Sequence, residues 1–244
     1  MRSMKRELEI IACSADDAVA AWRGGASRLE VTVRLEDDGL TPPADMVRQI
    51  VQEVPIPARI MLRETPEYSL RDRGELQTLL DKALEFASMG VEGFVFGYVK
   101  NGFLDLGAIG EITRAVHPLP VTVHNAIEKT HDPLQALRSL GAFPGVDRAL
   151  VKAGSTHEER IRNVRAFGGA IGPEKDLILG GGLSLAMLSP LASETNVRIF
   201  HLGRAVRTPE SHVGKVDAEK VRAAAKALSE AGKTMKARWN DEQD

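Results

Sequence analysis

The chain has one cysteine, Cys13, in 244 residues. An intrachain disulfide is therefore excluded, and stability has to come from a packed core. Charge of neither sign prevails: 32 Lys and Arg stand against 34 Asp and Glu, and the basic residues are scattered rather than grouped into a stripe. Such a chain has no field for gathering nucleic acid, so DNA and RNA are not expected as partners. Long apolar runs are missing too, since none approaches the roughly 20 residues a membrane helix needs. The opening MRSMKRELEI lacks the apolar stretch of a secretory signal. With the lone cysteine, this leads us to expect a cytoplasmic protein without a membrane partner. Linkers and low-complexity segments are also absent, as expected of one large α/β domain.

What the chain does have is a regular alternation of short apolar runs with stretches of helical periodicity. Eight strands are read at 8–13 (LEIIAC), 28–33 (RLEVTV), 58–63 (ARIMLR), 93–99 (GFVFGYV), 120–126 (PVTVHNA), 148–153 (RALVKA), 176–181 (DLILGG) and 198–203 (RIFHLG). Helices fall between them. Ser14 can cap SADDAVAAWRGG, Pro42 and Pro43 suit the first turn of PPADMVRQIVQEV, ELQTLLDKALEFASMG ends on Gly90, and VDAEKVRAAAKALSEAG comes last. Eight such units predict a single-domain (β/α)8 TIM barrel over residues 1–233, with a charged tail at 234–244 that frays. A weak internal repeat agrees: GGASRLEV, MGVEGFVF and PGVDRALV each run from a helix-ending glycine through a polar pair into a strand. The rival, an open doubly wound sheet, carries its glycine-rich loop after the first strand, whereas here the glycines come last.

In such a barrel the ligand site lies at the C-terminal strand ends, with phosphate on the loops after strands seven and eight. Those loops hold Gly180, Gly181 and Gly182 in LILGGGLS, and Gly203 and Arg204 in FHLGRAV. Bare backbone N–H groups there, beside Arg204, predict a site for a small anionic metabolite, phosphorylated or carboxylated. The competing reading is two tight turns. Alternation along the strands turns Glu30 and Thr32, Met61 and Arg63, Thr122 and His124, and His201 toward the interior. Glu30 and Arg63, on neighbouring strands, are expected to lie close enough to pair, because a lone buried carboxylate is expensive.

His124, at the ligand end, is a candidate proton donor or acceptor. Lys152 ends strand six, where some barrel aldolases carry a Schiff-base lysine. A lyase acting on a small phosphorylated keto compound, with Glu30 as acid or base, is one activity open to it; a mouth-lining cation is the other reading of Lys152. The candidate chemical residues are thus Glu30, Arg63, His124 and Lys152. An enzyme and a non-catalytic barrel that senses an anion both stay open.

The stretches RLEV with GLTPP (28–31, 39–43), IMLR (60–63), GFVFG (93–97), LPVTVHNAIEKTHDPLQAL (119–137), GVDRALV (145–151), LGGGL (179–183) and FHLGRA (200–205) resemble, in order and spacing, the copper homeostasis protein CutC family. The resemblance covers nearly the whole chain and rests most on GLTP, VFG and the PVT.H block followed by D.PL..L. It implies a (β/α)8 barrel, cytoplasmic and often a homodimer, with a physiological tie to copper and no secure reaction. Members typically carry Cys after the strand-two Glu, where this chain has Thr32 behind Val31. An Arg-Pro-Arg-Gly-Gly type loop after strand three is replaced by RETPEYS at 63–69. His-Arg-Ala-Phe-Asp after strand five becomes HNAIE at 124–128, with Asn125 for Arg and Glu128 for Asp, and Lys152 stands near where small hydroxyl residues are usual. These departures mark a divergent member. Cu(I) prefers thiolate and thioether ligands and Cu(II) clustered imidazoles. Here the six histidines have no paired ligand spacing, the methionines are dispersed, and Cys13 reads as a small apolar residue, so neither a metal site nor a cofactor is expected.

Overall fold

Eight parallel strands close into a barrel in sequential order: β1 (Glu7–Ala12), β2 (Arg28–Val31), β3 (Ala58–Met61), β4 (Gly93–Phe96), β5 (Val121–Val123), β6 (Val146–Val151), β7 (Asp176–Leu179) and β8 (Ile199–Leu202), which pairs back onto β1. Helices follow the strands in turn: α1 (Ala15–Gly24), α2 (Ala44–Glu53), α3 (Arg73–Ala87), α4 (Leu106–Ala115), α5 (Pro133–Gly141), α6 (His157–Ile171), α7 (Leu185–Glu194) and α8 (Ala218–Asp241). This computed structural model describes residues 6–241, with side chains to residue 232. The expected tail at 234–244 lies outside those described side chains. Among the described residues, no helix is long and apolar enough to cross a membrane.

Local chemistry accounts for the element ends. The Ser14 hydroxyl accepts from the Asp17 N–H at 3.1 Å to start α1, and Gly25 closes it in the left-handed region at φ 95°. The prolines precede α2 rather than opening it, with Pro43 in the capping position and Ala44 first in the helix. The fifth strand is shorter than expected. Its chain turns into a 3-10 helix at Asn125–Lys129 because the His124 ring accepts the Ala126 N–H.

Outward-facing Leu29, Val31, Ile60 and Leu62 join the helices in one large apolar core. Inside the barrel, Leu150, Ile178 and Ile199 form a separate small cluster. Its N-terminal end is charged instead. Arg59, fully buried, donates to both carboxylate oxygens of Asp147 at 2.6 Å, to Glu92 at 2.9 Å and to the Thr122 hydroxyl at 2.6 Å. Arg28 donates to the same Glu92 at 2.8 Å, and Arg198 clasps Asp176 at 2.6 Å. The polar pairs of the internal repeat supply Arg28, Glu92 and Asp147. Their recurrence builds one lattice across the barrel floor, in which each buried charge meets an opposite one, as burial requires.

Candidate functional site

At the C-terminal strand ends a cavity of about 710 Å³ opens, and Glu30, His124, Lys152, Gly181, Gly182, Gly203 and Arg204 all line it. Arg63 and Gly180 are not part of that lining.

Arg63 does not pair with Glu30. The register sets Glu30 beside Arg59, and Arg63 lies four residues farther along, roughly 13 Å at strand rise, after β3 has ended. Its guanidinium is 1% exposed and donates to the carbonyls of Asp37 at 3.1 Å, Gly39 at 3.3 Å and Pro66, while stacking 4.1 Å above the Tyr68 ring. Its backbone joins in: Thr41 donates through N–H and hydroxyl to the Arg63 carbonyl at 2.8 and 3.0 Å. Arg63 therefore sews the GLTPP loop to the RETPEYS loop, a structural task that alternation alone did not show.

The glycine turn is asymmetric. Gly180 still belongs to the ladder, its N–H spent on the Val151 carbonyl at 3.0 Å. Gly181 and Gly182 adopt φ of 69° and 75°, which glycine tolerates best. Among the described residues no acceptor meets their N–H groups. Behind the turn, buried Arg160 holds the carbonyls of Lys152 at 2.7 Å, Gly180 at 3.0 Å and Gly181 at 2.7 Å. That residue was missed because its role needs the tertiary fold, which brings α6 behind β7. Those bonds occupy the carbonyl oxygens of Gly180 and Gly181. Leu183 and Ser184, at the start of α7, also line the cavity, and the Ser184 side chain makes no capping bond.

His124 is 1% exposed. Because its Nδ1 accepts the Ala126 N–H at 3.1 Å, its proton sits on Nε2, which is buried and has no partner among the described residues. Burial, aided by the Arg63 charge, lowers its pKa to about 3. It is thus a neutral donor at the cavity wall. Two departures from the family pattern are wired in beside it. Asn125 accepts the Tyr68 hydroxyl at 2.9 Å, and Glu128 accepts the N–H groups of Lys152 and Ala153 at 2.9 Å. Ala153 sits at φ 59°, an uncommon state for a residue with a side chain, and Glu128 helps hold it there.

Deeper in, β8, β1 and β2 bring together His201, Glu9 and Glu30. His201 Nδ1 lies 2.8 Å from Glu9 Oε1. Burial would raise the Glu9 pKa, but the His201 hydrogen bond and charge outweigh it, and the carboxyl stays below its usual range. Burial opposes charge on His201 as well, yet the two glutamates win and raise it. Glu30 has no hydrogen bond or ion pair among the described residues, and burial lifts it to about 7. Glu9 was missed although the same alternation that turns Glu30 inward applies to LEIIA.

Lys152 lies just past β6 with its side chain exposed, its ammonium 3.5 Å from the Ser155 hydroxyl. The burial that a Schiff-base lysine draws on is not found there. Arg204 is exposed in the same mouth. Among the described residues, the sulfur atoms do not gather at the mouth. Cys13 is partly buried, faces Arg207 at 3.5 Å, lines a different hollow, and has its thiol pushed up to about 11 by burial. Met61 is the one sulfur residue lining the mouth among the described residues.

The model of the CutC family matches residues 6–206. A family protein CutC of Mesorhizobium japonicum is 29% identical over 208 residues, covering 84% of this chain and 80% of that protein. The Homo sapiens copper homeostasis protein cutC homolog is 32% identical over 144 residues, 59% of this chain and 52% of that one. Among solved structures, the putative copper homeostasis protein CutC from Streptococcus agalactiae superposes with a TM-score of 0.72 at 22% identity, over 81% of this chain and 98% of that one. KGPDC from Streptococcus mutans gives 0.63 at 16% identity, over 93% and 99%, a likeness of fold.

Proposed function

Since the chain belongs to the CutC family, we propose that it serves copper homeostasis by binding a small anionic metabolite, phosphorylated or carboxylated, at the barrel mouth, and not by holding copper(I) itself. The observation that carries this reading is the Gly181–Gly182 turn. Its two N–H groups are unspent, its backbone is held by Arg160 from behind, and Lys152 and Arg204 stand in the same cavity. Oriented backbone N–H groups with a nearby guanidinium are what an anion needs. A side chain would spoil the turn twice over: at Gly181 a Cβ would meet the Lys152 Cβ at 2.8 Å, and φ is positive. The start of α7 adds N–H groups without helical partners on the same side. Of the cavity's four carboxylates, Glu30 lies deeper, Asp38 is 3.1 Å from the Tyr68 hydroxyl, Glu128 accepts from Lys152 and Ala153, and Glu210 is exposed.

Neutral His124 would donate to an oxygen of the ligand, and Lys152 would serve as a mouth-lining cation. The reading includes a cytoplasmic homodimer, as the family resemblance implies and as a free thiol suits. The test is a crystal soaked in inorganic phosphate. The expected result is an anion over the N–H groups of Gly181 and Gly182 with Arg204 turned onto it; an anion found only elsewhere on the surface contradicts the reading.

A further inference from the structure

The unpaired carboxylate of Glu30 poses a second question, separate from the glycine turn. Glu30 is 3% exposed, and its Oε2 is buried without a partner among the described residues. The arginines of the barrel floor do not answer it. Arg59 is engaged by Asp147, Glu92 and Thr122, and Arg28 approaches Glu9, at 3.8 Å, and Glu92. A buried carboxylate is stable when it is paired or coordinates an ion.

The neighbours of Glu30 are Glu9 and His201, from the two preceding strands around the barrel. Each of the three offers one ligand atom, and these atoms lie within 4.8 Å of one another. Ligands bound at about 2.0 to 2.2 Å stand roughly 3 to 3.5 Å apart, so closing the set takes a small side-chain movement. Glu9 Oε1 holds His201 Nδ1 at 2.8 Å. Two donors at that spacing can share one ion, which would take the place of the proton between them. Glu9 Oε2 is also buried without a hydrogen bond. Glu30 and His201 both line the mouth cavity, so an ion between them would keep coordination positions open to a ligand.

We propose that Glu30, His201 and Glu9 form a binding site for one divalent cation of the kind that favours carboxylate and imidazole, such as Zn²⁺ or Mn²⁺. One imidazole and two carboxylates contain no thiolate or thioether, so the donor set selects against copper(I). The site shares the mouth with the glycine turn but uses none of its atoms.

The full chain, stripped with a chelator and titrated in phosphate-free buffer, tests this. Calorimetry with Zn²⁺ and the loss of the free-ion resonance with Mn²⁺ should each report one equivalent bound, with a melting temperature that rises with metal concentration. Glu30→Gln and His201→Gln should each weaken binding at least 100-fold. Glu9→Gln, which keeps the shape and removes one charged ligand, should weaken binding by at least about 10-fold. A wild-type chain that binds neither ion at one equivalent overturns the proposal, as does a Glu30→Gln chain that is folded by circular dichroism and binds as tightly as wild type. Should a variant fail to fold, anomalous diffraction from a wild-type crystal soaked in Zn²⁺ decides: an ion bonded to Glu30 and His201 supports the site, and one bonded only elsewhere overturns it. Phosphate is absent throughout, so this result is independent of anion binding at the turn.

Discussion

The two ends of the barrel use the same residue types in opposite ways. At the floor, Arg28, Arg59, Glu92 and Asp147 are locked in mutual contacts of 2.6 to 2.9 Å. At the mouth, among the described residues, Glu30 has no hydrogen-bond partner and His124 Nε2 is buried without one, while exposed Lys152 and Arg204 line the cavity. Buried charge is tolerable when paired, and the floor follows that rule. The mouth departs from it, and such departures mark places kept for a ligand. On the proposed reading, charge inside this barrel has two functions, distinguished by whether each group already has a partner.

Mutations should separate the two ends. The largest effect belongs to the floor: Arg59→Ala removes the buried centre of the lattice, leaving Glu92 to Arg28 and Asp147 to a longer contact with Arg148, and should destabilise the chain by about 3 to 5 kcal/mol. Urea midpoints at unchanged slope would show it, and a loss below about 1 kcal/mol would mean that the lattice is ornamental. Arg160→Met removes charge-assisted bonds to three carbonyls, so a loss of about 2 to 3 kcal/mol is expected. Unlike Arg59→Ala, it should also weaken phosphate binding, because the turn loses its brace.

A third test uses pH. The folded pKa of His124, about 3, lies below the 6.5 ordinary for a histidine. The unfolded chain therefore takes up a proton that the folded one refuses. The stability at stake is fully present above pH 6.5 and is lost as pH falls toward about 3, with a slope of at most about 1.4 kcal/mol per pH unit. His124→Asn removes that titration, so its deficit relative to wild type should shrink between pH 7 and pH 4; parallel curves would refute the buried neutral ring. The smallest stability effect is expected at Arg204→Ala, within about 0.5 kcal/mol of wild type by thermal melting, since the side chain is exposed.

Most of the fold was legible because strand alternation and helix caps are local signals. All eight strands appear near their expected positions, and Ser14 caps as its sequence context suggests. Much of the site's placement followed from the barrel itself, which carries the strand ends to one mouth. Arg63 was misplaced because alternation was extended past the end of β3, where the chain has left the sheet. Gly180 was grouped with the turn because three adjacent glycines look alike, although the first still pairs with Val151. Arg160 and the joining of Glu9 to His201 needed contacts between residues 20 or more apart, 192 in the second case, which no local pattern carries. The floor lattice was half visible: the repeat displayed its polar pairs, but only the closed barrel shows that they converge on Arg59.

Calorimetric titration of inorganic phosphate into wild type and Arg204→Ala, side by side, tests most directly whether the mouth's unpaired groups serve an anion. One phosphate should bind per wild-type chain. Affinity should fall roughly tenfold or more in the variant, as the loss of a charge-assisted contact of about 1.5 to 3 kcal/mol requires, while both chains melt together. No binding to wild type, or equal affinity in the two chains, would contradict the reading and leave the glycine loop a turn without a ligand.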